Sequence, residues 1–101
     1  MKLKKGDVVA KVINIMGYRT VTFGWKILKD SPVIRIKEPN DYETCLGYDS
    51  RGNEINGMNC SYLLPINTAL DRVESGDISL AGGEEESYLN FALQRELDRK
   101  S

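Results

Sequence analysis

At 101 residues, with 41% apolar and 29% charged side chains and a net charge of −1, the chain is sized for one domain with one core and is too short for a second. It contains two Cys and no His, which excludes a disulfide scaffold and leaves too few ligands for a zinc site. The charge is unevenly spread: residues 1–37 hold nine Lys or Arg against two acids, and residues 38–101 hold five against thirteen, about +7 and −8. Such a split either steers a charged partner or draws the two halves together within one fold.

Taken in chain order, the single domain 1–101 divides into a strand-rich part, 1–66, and a helical part, 67–101. The opening "MKLKKGDVVAKV" has no apolar run before its next Lys, so neither a secretory signal nor a membrane span is expected, and the expected setting is cytoplasmic. "DVVAKVINI" is β-branched and ends at Met16-Gly17-Tyr18-Arg19, a turn that closes a first strand on a second. In "TVTFGWKIL" the alternation predicts Val21, Phe23, Trp25 and Ile27 on a core face, with Thr20, Thr22, Gly24 and Lys26 on the other. Asp30-Ser31-Pro32 reads as a turn, "VIRIKE" as a third strand whose Arg35 and Lys37 share a face, and "EPND" as another turn.

The stretch "CLGYDSRGNEINGMNC" then reads as a fourth and fifth strand joined at its centre. A two-residue loop at Gly52-Asn53 would set Cys45 across from Cys60 and make a disulfide conceivable. A type I turn over Asp49–Gly52, with Gly52 left-handed, shifts the register and places Cys60 opposite Tyr42. Asp at the first and Gly at the fourth turn position favour the second arrangement, in which both thiols stay reduced. As a calcium loop counted from Asp49, the stretch has Arg51 at the third position and Glu54 where Gly is needed. No metal and no cofactor is expected.

After Pro65, Asn67 suits the N-cap of a short helix "TALDRVES" that stops at Gly76. The closing helix begins with Glu84, Glu85 and Glu86 and ends with Arg95, Arg99 and Lys100, the polarity that the helix dipole favours. Its apolar residues, Tyr88, Leu89, Ala92, Leu93 and Leu97, cover about half the circumference, and Phe91 widens the arc. Either the helix lies deep against a sheet with Tyr88 and Phe91 at its rim, or it serves the core on one side and a second chain on the other.

Short antiparallel strands followed by helices predict an α+β fold: a small, partly open antiparallel β-barrel of about five strands, then a short and a longer helix. "KKGDVVAKV" resembles the first strand of SH3-like barrels, where Gly-Asp often precedes it. The resemblance covers about a dozen residues and implies broad architecture alone, since such barrels bind proteins, RNA and DNA alike.

No catalytic constellation is visible. With no His, base work would fall to carboxylates, Lys, Tyr or Cys, and the carboxylates stand in turns and at helix starts. The serines lack an elbow motif and the glycines never form a phosphate-cradling loop. The expected function is therefore non-enzymatic: a small module that binds another protein, such as a regulator or inhibitor of the kind phages and mobile elements encode. Asp41, Glu43, Asp49, Arg51 and Glu54 cluster around the hairpin and form its expected contact surface. A nucleic-acid binder using a basic face of Arg19, Lys26, Arg35 and Lys37 is the alternative, although Phe23 and Trp25 alternate away from that face. A further alternative is an oligomeric structural or small-ligand-binding protein. Tyr88, Phe91, Leu93 and Leu97 are the residues expected in self-association as a homodimer.

Overall fold

A computed structural model describes residues 2–29, 33–39, 43–55 and 60–101, with the side chains of residues 43–46 outside the described set. The elements run β1 (Val8–Ile15), β2 (Tyr18–Lys29), β3 (Ile34–Lys37), β4 (Glu43–Tyr48), β5 (Ser61–Pro65), α1 (Ile66–Glu74), β6 (Ser79–Leu80) and α2 (Glu85–Lys100). Five strands form an antiparallel sheet in the order β4-β3-β2-β1-β5, curled into an open half-barrel, and the two helices follow. The expected α+β architecture is the one the chain adopts. The two-residue β6, not foreseen, runs parallel to β2 at Thr20 and Val21, where β3 does not reach.

The alternation expected across β2 is broken at Gly24. Val9 pairs with Trp25 and Ala10 with Phe23, so Gly24 is an extra residue on its strand, held at φ +93°. A bulge of this kind advances the pleat by one residue and exchanges the two faces beyond it. Val21, Phe23, Trp25 and Ile27 are all buried, as expected, but not on one face. Trp25 and Ile27 join Leu3, Val9, Ile34, Ile36, Tyr48 and Leu63 inside the curl. Val21 and Phe23 join Ala10, Val12, Ala69, Leu70 and Ile78 beneath the helices. Both faces of the sheet are thus covered along its middle, which explains why neighbouring Val9 and Ala10 are both buried.

The open side of the curl is spanned by the turn after β4. Gly52 donates its N–H to the Asp49 carbonyl at 3.0 Å, with Gly52 at φ +92°, and Asp49 N–H bonds the Asn53 carbonyl at 2.9 Å. This is the type I turn favoured by Asp49 and Gly52, and its Tyr48–Glu54 bridge excludes the register that sets Arg51 opposite Glu54. The two flanking strands do not form one hairpin, however: β5 pairs with β1, from Val9–Pro65 to Ile13–Ser61. The turn instead folds onto β5 through Leu63 N–H to the Gly52 carbonyl at 2.7 Å, an Asn53–Tyr62 bridge and a Tyr48 Oη to Ser61 Oγ hydrogen bond of 3.1 Å. Cys60 is exposed; the Cys45 side chain and Tyr42 lie outside the described residues.

Helix α1 starts one residue before its expected cap. Pro65, with its φ fixed near −55°, turns the chain from β5 straight into the helix, and Asn67 sits in the first turn with no capping hydrogen bond from a side chain. Gly76 ends α1 as expected, at φ +82° with its N–H on the Val73 carbonyl. Helix α2 lies over the second cluster, with the Phe91 ring 5.7 Å from that of Phe23 and the Tyr88 ring 6.2 Å from it. Arg95 is buried between the helices, where its guanidinium donates to Asp71 at 2.6 Å and to Glu74. Both carboxylates keep their outer sides in water, so the cation is paired without burying its partners.

Candidate functional site

The residues named from the sequence fall into three places. Around the β4–β5 turn, Asp49 Oδ1 accepts N–H groups from Arg51 at 2.9 Å and Asn53 at 3.0 Å. These backbone hydrogen bonds, that from Asn53 foremost, hold its carboxyl below the usual range for Asp. Glu54 is half-buried and accepts from Ser61 Oγ at 3.0 Å. Two of the expected contact acids therefore hold the turn and close the half-barrel, and Arg51 stands exposed beside them. Glu43 lies across from Lys37 in the β3–β4 register, and Asp41 is outside the described residues.

Asp49 makes the fold pH-dependent in a defined direction. Its pKa is lower folded than unfolded, so its contribution is complete above the unfolded value of about 4 and is lost as pH falls through the folded value. Melting curves of the wild type should drop from about pH 4 downward, and Asp49→Asn should drop less steeply over the same range. Equal slopes in the two proteins would mean that Asp49 does not hold the turn.

The basic residues separate into two groups. Lys26 pairs with Lys37 and Lys29 with Arg35 across β2 and β3, so four cations share the outer face. Gly6 N–H bonds the Ile27 carbonyl, which brings the N-terminal Lys4-Lys5 turn to the same end. Arg19 is elsewhere, about 20 Å along β2 at ~3.3 Å per residue. Thr22 does not flank the cations either, because the Gly24 bulge turns it inward, where its Oγ1 accepts the Trp25 Nε1–H at 2.7 Å. On the same inner face the Lys11 ammonium stands 4.5 Å from the Trp25 ring centre. Burial draws the Lys11 pKa down, opposed by Glu38 and Glu54. Among the described residues no cavity opens beside this lysine, and no group of three His, Cys, Asp or Glu side chains converges.

The third place was not singled out from the sequence: the tip of the β1–β2 hairpin. Ile15 pairs with Tyr18, leaving Met16-Gly17 as a two-residue loop with φ +52° and +86°. Both residues in left-handed backbone define a type I′ turn, whose first position strongly prefers Asn, Asp or Gly. Met16 occupies it with 95% of its surface exposed, flanked by Ile15 and by Tyr18 at 82%. The signal was in the sequence, since "IMGY" between two β-branched runs already forces a Met into the strained position. Comparison with family models, with curated proteins and with solved structures finds no match to this chain.

The strain has a measurable consequence. Met16→Asn should raise folding stability by about 1 kcal/mol, because Asn enters the left-handed region at far lower cost and Met16 makes no buried contact to lose. Urea titration of the two proteins decides it; an unchanged or lower midpoint would show that Met16 is not strained.

Proposed function

We propose that the chain is a non-enzymatic protein-binding module that docks on a larger protein through its β1–β2 hairpin tip, as a small regulator or inhibitor would. The observation that carries this reading is Met16: a bulky apolar side chain in left-handed backbone and almost wholly in water. The fold gains nothing from it, and a protruding knob of Ile15, Met16 and Tyr18 with Arg19 at its base has the composition of an interface anchor. Its complement is an apolar cleft with an acidic rim. A cytoplasmic setting goes with this reading. No helix among the described residues is long and apolar enough to cross a membrane.

A second reading is supported by the four outer cations, Lys26, Lys29, Arg35 and Lys37, which could track a phosphate backbone. The buried positions of Phe23 and Trp25 weigh against base stacking on that face. Capture from native cells with the tagged chain, with and without nuclease, separates the two. A stoichiometric protein that survives nuclease supports docking; recovery of nucleic acid alone, with affinity falling steeply in salt, transfers the function to the basic face.

A further inference from the structure

The face of α2 turned away from the sheet carries Leu89, Leu93 and Leu97 at i, i+4 and i+8, each more than half exposed. Tyr88, Phe91, Ala92 and Arg95 occupy the opposite side, against the core and α1. Of the residues expected in self-association, Tyr88 and Phe91 are thus taken up by Phe23, while Leu93 and Leu97 stand in solvent with Leu89. At about 100° per residue the three leucines span an arc of about 80°, and Glu86 and Lys100 fall within that same arc near its two ends along the axis.

This stripe is complementary to itself when turned end for end about Leu93. Leu89 then meets the partner's Leu97, Leu93 meets the partner's Leu93, and Glu86 meets the partner's Lys100. A parallel pairing would set Glu86 against Glu86 and Lys100 against Lys100, and would align the helix dipoles unfavourably. We propose that α2 pairs with α2 of a second copy, antiparallel, about a two-fold axis at Leu93. The pairing is isologous and closes as a dimer. Three leucines per helix make a patch below the ~800 Å² per partner of a stable interface, so the dimer is a weak one that dissociates on dilution.

The test uses the full chain with Cys45→Ser and Cys60→Ser, so that an added cysteine is the sole thiol. Under mild oxidation at about 100 µM, Leu93→Cys should form a disulfide-linked dimer about tenfold or more faster than Gln94→Cys, whose side chain leaves the stripe. A mixture of Leu89→Cys and Leu97→Cys should cross-link faster than either alone. In sedimentation, Leu93→Glu should abolish the dimer while keeping the wild-type circular dichroism, Glu86→Lys should weaken it, and adding Lys100→Glu should restore it. Cross-linking at position 93 no faster than at 94 overturns the proposal. So does a wild type that stays monomeric at all concentrations, whether or not the helix then binds another protein or lipid vesicles.

Discussion

Trp25→Ala is expected to cost about 3–5 kcal/mol, a large share of the ~5–15 kcal/mol that holds a small domain together. Trp25 fills the inside of the curl between Val9, Ile27, Ile36 and Leu63, and truncation opens a void that strands on several sides cannot collapse to fill. The ring also holds the polar groups around it: its N–H satisfies Thr22, and its face receives the Lys11 ammonium. Thr22→Val should cost only about 1 kcal/mol, the net worth of one hydrogen bond. The expected order in denaturant midpoints is wild type, then Thr22→Val, then Trp25→Ala, with Trp25→Ala largely unfolded at 37 °C. A cooperatively folded Trp25→Ala with a midpoint near wild type would mean that the inner cluster does not organise the half-barrel.

Gly52→Ala is the second large effect. At φ +92° any L residue carries a cost of about 1–2 kcal/mol. The added Cβ would also stand 2.4 Å from the Leu63 carbonyl oxygen, a backbone atom of β5 that cannot turn aside. Leu63 N–H donates to the Gly52 carbonyl in the same place, so relieving the clash pulls the turn off β5 and opens the half-barrel on its unpaired side. The total should reach about 3 kcal/mol or more. Gly17→Ala carries the backbone cost alone, because Gly17 has a similar φ of +86° with nothing within 4 Å of a Cβ, so the excess at Gly52 is the clash with β5. If urea denaturation finds Gly52→Ala no costlier than Gly17→Ala, the turn is not packed against β5 as described.

The strands and helices were legible because their signals are local: β-branched runs, Asp and Gly at fixed turn positions, and a helix with acids first and bases last. The exchange of faces at Gly24 was not, because a period-2 pattern looks continuous when the residues on both sides of a bulge are apolar. In most strands an apolar residue on the wrong face would betray it, but here both faces are covered. The pairing of β5 with β1 was missed for a related reason. Turn chemistry fixes what the chain does over Asp49–Asn53 and says nothing about which strand receives it afterwards.

From the sequence the acids of the turn look like a contact surface, because a sequence shows charge but not hydrogen bonds. Asp49 and Glu54 are bonded within the fold, to backbone N–H groups and to Ser61. Arg95 shows the converse: a cation four residues after Phe91 and seven after Tyr88 lies within the core-facing arc, and that spacing was visible, but its partners on α1 were not. The hairpin tip required one step more, to count Ile15 against Tyr18 and ask what backbone the two residues between them must adopt.

The most direct measurement compares wild type and Met16→Asn in one capture experiment from native cells after nuclease treatment. Docking through the hairpin tip predicts that the substitution, while leaving the chain folded and more stable, loses the protein that wild type retains in stoichiometric amount. A Met16→Asn chain that retains the same protein as fully as wild type would contradict it.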